Sequence, residues 1–60
     1  METNTAKIIK RLKQDGWYFE RAGREHDIYR HPDKGEVQVP RHRTLSPGVA
    51  RSIAKKAGWA

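Results

Sequence analysis

Three histidines, at positions 26, 31 and 42, are the side chains of this 60-residue chain best suited to move a proton near neutral pH. A free imidazole titrates near about 6.5, between the carboxylates and the amines. Two of the three lie in R-A-G-R-E-H-D-I-Y-R-H-P at 21–32, among three arginines, and the third lies in R-H-R at 41–43. His26 is the candidate acid or base, because it stands where the chain leaves a loop and enters a strand. The plain alternative is a surface or packing histidine, the common fate of a lone imidazole in a small basic domain. His31 precedes Pro32 and suits a turn. His42, between Arg41 and Arg43, suits a contact to a phosphate backbone. The spacing 26-31-42 fits no usual zinc pattern. There is no cysteine, so disulfides and thiolate metal sites are excluded. No metal and no small-molecule cofactor is expected.

The charge says what such groups would meet. Lysine and arginine number 13 against 7 aspartates and glutamates, a formal +6 with a pI near 10.2. The cations gather in Lys7–Lys13, Arg21–Arg30 and Arg41–Lys56, while the carboxylates are scattered. A field this dense attracts phosphate backbones or an acidic protein partner. No apolar run is long enough for a membrane span and no signal-peptide core stands near the start, so a soluble, cytoplasmic protein is expected. Sixty residues make one small domain, 1–60, with a thin core.

The elements that must position these residues follow from periodicity. Thr5, Ile8, Ile9 and Leu12 mark one apolar helix face, with Thr3 or Thr5 as cap and Gly16 as the left-handed stop, which predicts a helix over about Thr5 to Asp15. The aromatic run at 17–21 predicts a strand with Trp17, Phe19 and Arg21 on one side. His26 to His31 predicts a second, with His26, Ile28 and Arg30 on one side. Pro32-Asp33-Lys34-Gly35 is a hairpin turn. Glu36 to Pro40 is a third strand with both valines on one face. Ser46-Pro47 reads as N-cap and first helical residue. Val49, Ile53 and Ala57 then make the stripe of a second helix stopped by Gly58, with Trp59 folding back. Three consecutive hairpin strands form an antiparallel meander, and both helices need a surface to bury. The expected fold is α+β, in the order α-β-β-β-α, with both helices on one sheet face over Ile8 or Ile9, Leu12, Ile28, Val37, Val39 and Ile53. That order is shared with the double-stranded-RNA-binding domain, which grips RNA by shape.

Four segments in this order resemble the HicA family, the toxins of HicBA toxin–antitoxin systems. They are K-I-I-K-R-L-K-Q-D-G-W at 7–17, H-D-I-Y-R-H-P at 26–32, V-Q-V-P-R-H at 37–42 and L-S-P-G-V-A-R-S-I-A-K-K-A-G-W at 45–59. The resemblance implies a small endoribonuclease that cleaves mRNA, has the double-stranded-RNA-binding-like fold and is silenced by a HicB antitoxin. It also implies that the catalytic histidine is the one opening the second strand, here His26. Arg24-Glu25 stand where the family usually has Gly-Ser, and the nearest glycine is Gly23.

RNA supplies its own nucleophile, the 2′-hydroxyl, so cleavage needs neither metal nor covalent intermediate. A neutral His26 would take that proton while arginines steady the charge on phosphorus; the opposite role, protonating the departing 5′-oxygen, fits the same residue. Arg24, Arg41, His42, Arg43 and Lys55 are the candidate RNA contacts. Tyr18 and Tyr29 are candidates to stack on bases, whereas Trp17 and Trp59 belong in so small a core. Two competing readings use the same basic surface: a non-catalytic RNA-binding module, and a purely protein-binding domain.

Overall fold

A computed structural model describes residues 2–59. Helix α1 spans Thr5–Gln14, strands β1, β2 and β3 span Tyr18–Ala22, His26–His31 and Gly35–Pro40, and helix α2 spans Pro47–Ala57. The three strands form one antiparallel sheet in the order β1-β2-β3. Ile8 and Leu12 of α1, Ala50, Ile53 and Ala57 of α2, and Tyr29, Val37 and Val39 of the sheet make one buried cluster. Both helices therefore cover the same sheet face, as the order of elements predicts.

Both helices end in the same device. After α1, Gly16 takes φ +97°, its N–H donates to the Lys13 carbonyl and the Trp17 N–H donates to Leu12. After α2, Gly58 takes φ +80°, its N–H donates to Lys55 and the Trp59 N–H to Ala54. Two glycine caps of the Schellman kind thus each throw a tryptophan back toward the core. Trp17 is buried. Trp59 lies beneath the Arg11 guanidinium, 4.3 Å from its ring centre, and its indole N–H donates to Asp15, tying the two helix ends together. The N-terminal cap of α1 is Asn4, whose side chain accepts from the Lys7 N–H. Thr3 and Thr5 do not serve, because Thr5 is already helical and turns its hydroxyl to the His42 carbonyl. Ser46 caps α2 with Pro47 in the first turn, as read from the sequence.

Two facings differ from simple alternation. Tyr18 pairs with Arg30 and Phe19 with Tyr29, but Arg21 pairs with Ile28, so a bulge falls at Glu20. The extra residue resets the alternation and sends Phe19 and Arg21 to opposite faces. In β2, Tyr29 lies across from Val37 and Asp27 across from Val39, while Ile28 lies across from Gln38. Tyr29, not Ile28, therefore joins the valines beneath the helices. Ile28 is buried on the other face, where the β1–β2 loop folds over it at Gly23. Beside it the open face carries a ladder of Glu20, Arg30, Glu36 and Arg21, with Glu20–Arg30 at 2.5 Å and Arg30–Glu36 at 3.1 Å.

The segment after β3 is not a free loop. The Thr5 N–H donates to the Arg43 carbonyl, the Leu45 N–H donates to Thr3, and Asn4 bridges Thr44. Leu45 is buried as a result. No described helix is long and apolar enough to cross a membrane.

Candidate functional site

His26 is held by its main chain. The connection from β1 to β2 is only Gly23-Arg24-Glu25, and it closes with a 2.7 Å hydrogen bond from the Gly23 N–H to the His26 carbonyl. A Cβ on Gly23 would stand 3.0 Å from that same oxygen, so a glycine is favoured here by close approach. His26 pairs with Pro40 at the other side, and its side chain is half-buried. The alternation of β2 puts it with Ile28 on the face away from the helices.

Arg41 grips the loop from β3. One terminal nitrogen, Nη1, donates to the His26 carbonyl at 3.2 Å and to the Asp27 carboxylate at 2.7 Å. The other, Nη2, donates to the Gly23 carbonyl at 2.9 Å and to the Arg24 carbonyl at 2.6 Å. The Arg41 main-chain N–H adds a bond to Glu25 at 3.2 Å. Asp27 is thus engaged with Arg41 rather than with the imidazole. Sequence reasoning reached Arg41 as a cation in a basic loop; the four acceptors that converge on it are mostly carbonyls, which leave no mark in a sequence.

The other sequence-predicted groups divide by place. Arg24 is exposed on the His26 loop, and His42 and Arg43 are exposed on the segment that leaves Arg41. Their carbonyls are tied down, His42 by the Thr5 hydroxyl and Arg43 by the Thr5 N–H. Arg24, His26, Arg41, His42 and Arg43 are therefore brought to one end of the sheet. Lys55 is exposed in the last turn of α2. That turn meets the β2–β3 hairpin, where Lys34 donates to the Ala57 carbonyl at 3.0 Å and the Lys56 ammonium lies against Gly35. The hairpin stands at the far end of β2 from His26, roughly 16 Å away for five residues of strand.

His31 serves the hairpin turn, as its place before Pro32 predicts. Its Nδ1 accepts from the Asp33 N–H at 3.0 Å and its Nε2 reaches the Asp15 carbonyl at 3.1 Å. Its ring packs against Trp17. Tyr29 is buried and unavailable to a base, whereas Tyr18 and Phe19 are half-exposed on β1. Burial pushes the Tyr29 phenol above its ordinary value, and the Asp27 charge adds to the push. The Arg30 guanidinium is likewise held above its usual value by the Glu20 hydrogen bond and charge. Among the described residues, no three histidine, aspartate or glutamate side chains converge where a metal would sit.

The electrostatic balance is lopsided between the faces. The salt bridges among described residues use Arg21, Arg30 and Arg41 against Glu20, Glu36 and Asp27. Ten cations (13 − 3) stand outside them. The open sheet face is close to self-neutralised, and the excess charge lies on the helices and on the loops, with Arg24 and Arg43 at the His26 end and Lys34 at the other.

The family described as the HicA toxin of bacterial toxin-antitoxin matches residues 5–59, which takes in both helices, all three strands and the His26 loop. No curated protein matches the chain.

Proposed function

The chain belongs to the HicA toxin family, and from that premise we propose that it is a metal-independent endoribonuclease that cleaves mRNA with His26 as its acid–base group. As a toxin of a toxin–antitoxin system it has an antitoxin partner; in this reading that partner is HicB-like and both act in the cytoplasm, where the mRNA is. The observation that carries the reading is the fixing of His26. Its carbonyl accepts from two donors, the Gly23 N–H and the Arg41 guanidinium, which leaves the half-buried imidazole to act from a set position.

The reaction needs little else from the protein. The RNA 2′-oxygen attacks the adjacent phosphorus as neutral His26 takes its proton. The bond from phosphorus to the 5′-oxygen breaks, and that oxygen takes a proton from water, giving a 2′,3′-cyclic phosphate and a 5′-hydroxyl, while the His26 imidazolium returns its proton to solvent. One positioned base contributes about 10² to 10⁴ in rate. Arg24, His42 and Arg43 hold the RNA backbone around the scissile phosphate. Lys55, at the other end of β2, meets only RNA that runs on along the molecule.

The test is induced expression of wild type and His26→Ala, following growth and RNA integrity together, with the purified proteins assayed in a chelator. Wild type should arrest growth, cut RNA with divalent metal removed, leave a 2′,3′-cyclic end and spare a 2′-deoxy substrate. His26→Ala should fold, bind RNA and do none of these. A His26→Ala protein that still arrests growth would return the chain to a non-catalytic RNA-binding module.

A further inference from the structure

We propose that Arg41 is the positioning residue of this site, setting the place of the His26 imidazole by holding the loop around it, and that it is not one of the phosphate-binding arginines. The proposal rests on the reading of His26 as the acid–base group.

The count of donors carries the argument. A guanidinium has five N–H groups, two on each terminal nitrogen and one on Nε. Nη1 spends its pair on the His26 carbonyl and the Asp27 carboxylate, and Nη2 spends its pair on the Gly23 and Arg24 carbonyls. Both terminal nitrogens are full. A phosphate is gripped by a two-pronged fork that needs a terminal nitrogen of the arginine, and here only the single Nε–H is left, which makes no fork.

All four acceptors lie between residues 23 and 27, on either side of the imidazole. Two of the three carbonyls, those of Gly23 and Arg24, belong to the short connection outside the helices and strands, while the His26 carbonyl also accepts from the Gly23 N–H. One planar group meets all three at once. The Asp27 carboxylate makes the bond to Nη1 an ion pair, in which donor and acceptor are both charged. The Arg41 N–H to Glu25 carbonyl bond extends the β2–β3 ladder one step past the His26–Pro40 pair. Arg41 also heads the segment whose next residues, His42 and Arg43, are bonded to Thr5. It thereby fixes the distance between the imidazole and the cations that receive the RNA backbone. Lysine has the charge but offers three protons from a single point, and it cannot reach four acceptors spread in a plane. Charge and shape are therefore separable by experiment.

The experiment compares Arg41→Lys, Arg41→Ala and Asp27→Asn with wild type and His26→Ala, on a short RNA, after circular dichroism has shown which variants fold. Single-turnover rates, apparent affinity and its salt slope, and amide exchange at Gly23 to Asp27, Val37, Val39 and position 41 are measured. Arg41→Lys should lose about 100-fold in rate, the scale of an ångström of misplacement, with affinity and salt slope unchanged. Amide exchange should quicken at Gly23 and at Arg41 while Val37 and Val39 stay protected. Asp27→Asn, which removes the charge from one acceptor of four, should show a smaller loss in the same sense and keeps the proposal testable if Arg41→Ala does not fold. An Arg41→Lys protein with the wild-type rate would overturn the proposal. So would an Arg41→Ala protein whose loss lies in affinity, with a salt slope lower by about 0.7, and is restored by lysine. If His26→Ala still cuts RNA, the acid–base assignment falls, while the exchange data continue to report on the clamp alone.

Discussion

Tyr29 brings a phenol to the helix side of the sheet, with the Asp27 carboxylate two residues earlier on the same face. Burial, and then that charge, raise its pKa above the ordinary value of 10.0. A proton is thus held more tightly in the folded protein than in the unfolded chain. The stability this gives is complete below about pH 10 and is lost as pH rises through the folded value. Tyr29→Phe should flatten that alkaline limb. Denaturant midpoints for both proteins from pH 7 to 11 should run parallel up to about pH 10, and above it wild type should fall relative to the variant; curves that stay parallel throughout would dismiss the coupling. At this scale the sequence was legible where exposure decides and illegible where acceptors decide. His26, Arg24 and Arg43 are polar groups at an open end, as their neighbours in the chain suggest. Asn4 took the cap from two threonines because Thr5 was needed at the His42 carbonyl. The work of Arg41 depends on carbonyls supplied by another hairpin, and no residue type encodes them.

Among the elements, the two glycine–tryptophan helix ends make the sharpest claim. Gly58 sits at φ +80°, and a Cβ there would meet only the Lys34 ammonium at an ordinary 3.7 Å. The cost of Gly58→Ala is therefore conformational, about 1–2 kcal/mol for an L-residue in the left-handed region. Gly48, inside α2 with nothing within 4 Å of its Cβ position, gives the opposite sign: Gly48→Ala should add roughly 0.5–1 kcal/mol. Urea denaturation of the two variants checks both, and equal shifts would mean that backbone conformation is not what separates them. Helices and strands were legible because their periods are strong and their ends carry glycine, proline and serine. The facing of β2 was not, because His26 to His31 has an apolar residue on each parity, Ile28 and Tyr29. Only pairing with Val37 and Val39 decides which one lies under the helices. The bulge at Glu20 was hidden for a similar reason, since it belongs to a pair of strands and not to either one.

For the molecule as a whole, the formal +6 and the ten cations outside salt bridges predict binding that weakens steeply with salt. Each single-strand phosphate neutralised adds about 0.7 to the slope of log affinity against log salt. Arg43→Glu should lower both affinity and slope without changing which sequences are bound. Titrations with a short RNA from 50 to 300 mM salt check this, and affinity that stays flat would contradict an electrostatic grip. The same field suits an antitoxin that presents carboxylates to the His26 end while covering it. The bulge in β1 has one more effect, on how copies of the molecule meet. β1 and β3 are the two outer strands, and an outer strand offers its unpaired peptide groups as a template to any neighbour. The extra residue at Glu20 kinks one of these borders beside the Arg21 and Glu20 charges, which spoils a straight ladder there. β3 pairs with β2 in an unbroken register from Gly35 to Pro40, so it carries no such kink, and a proline stands at its end. At the concentrations of inclusion bodies or fibres, growth of one molecule upon another should therefore proceed along β3 and leave β1 as the blunt side.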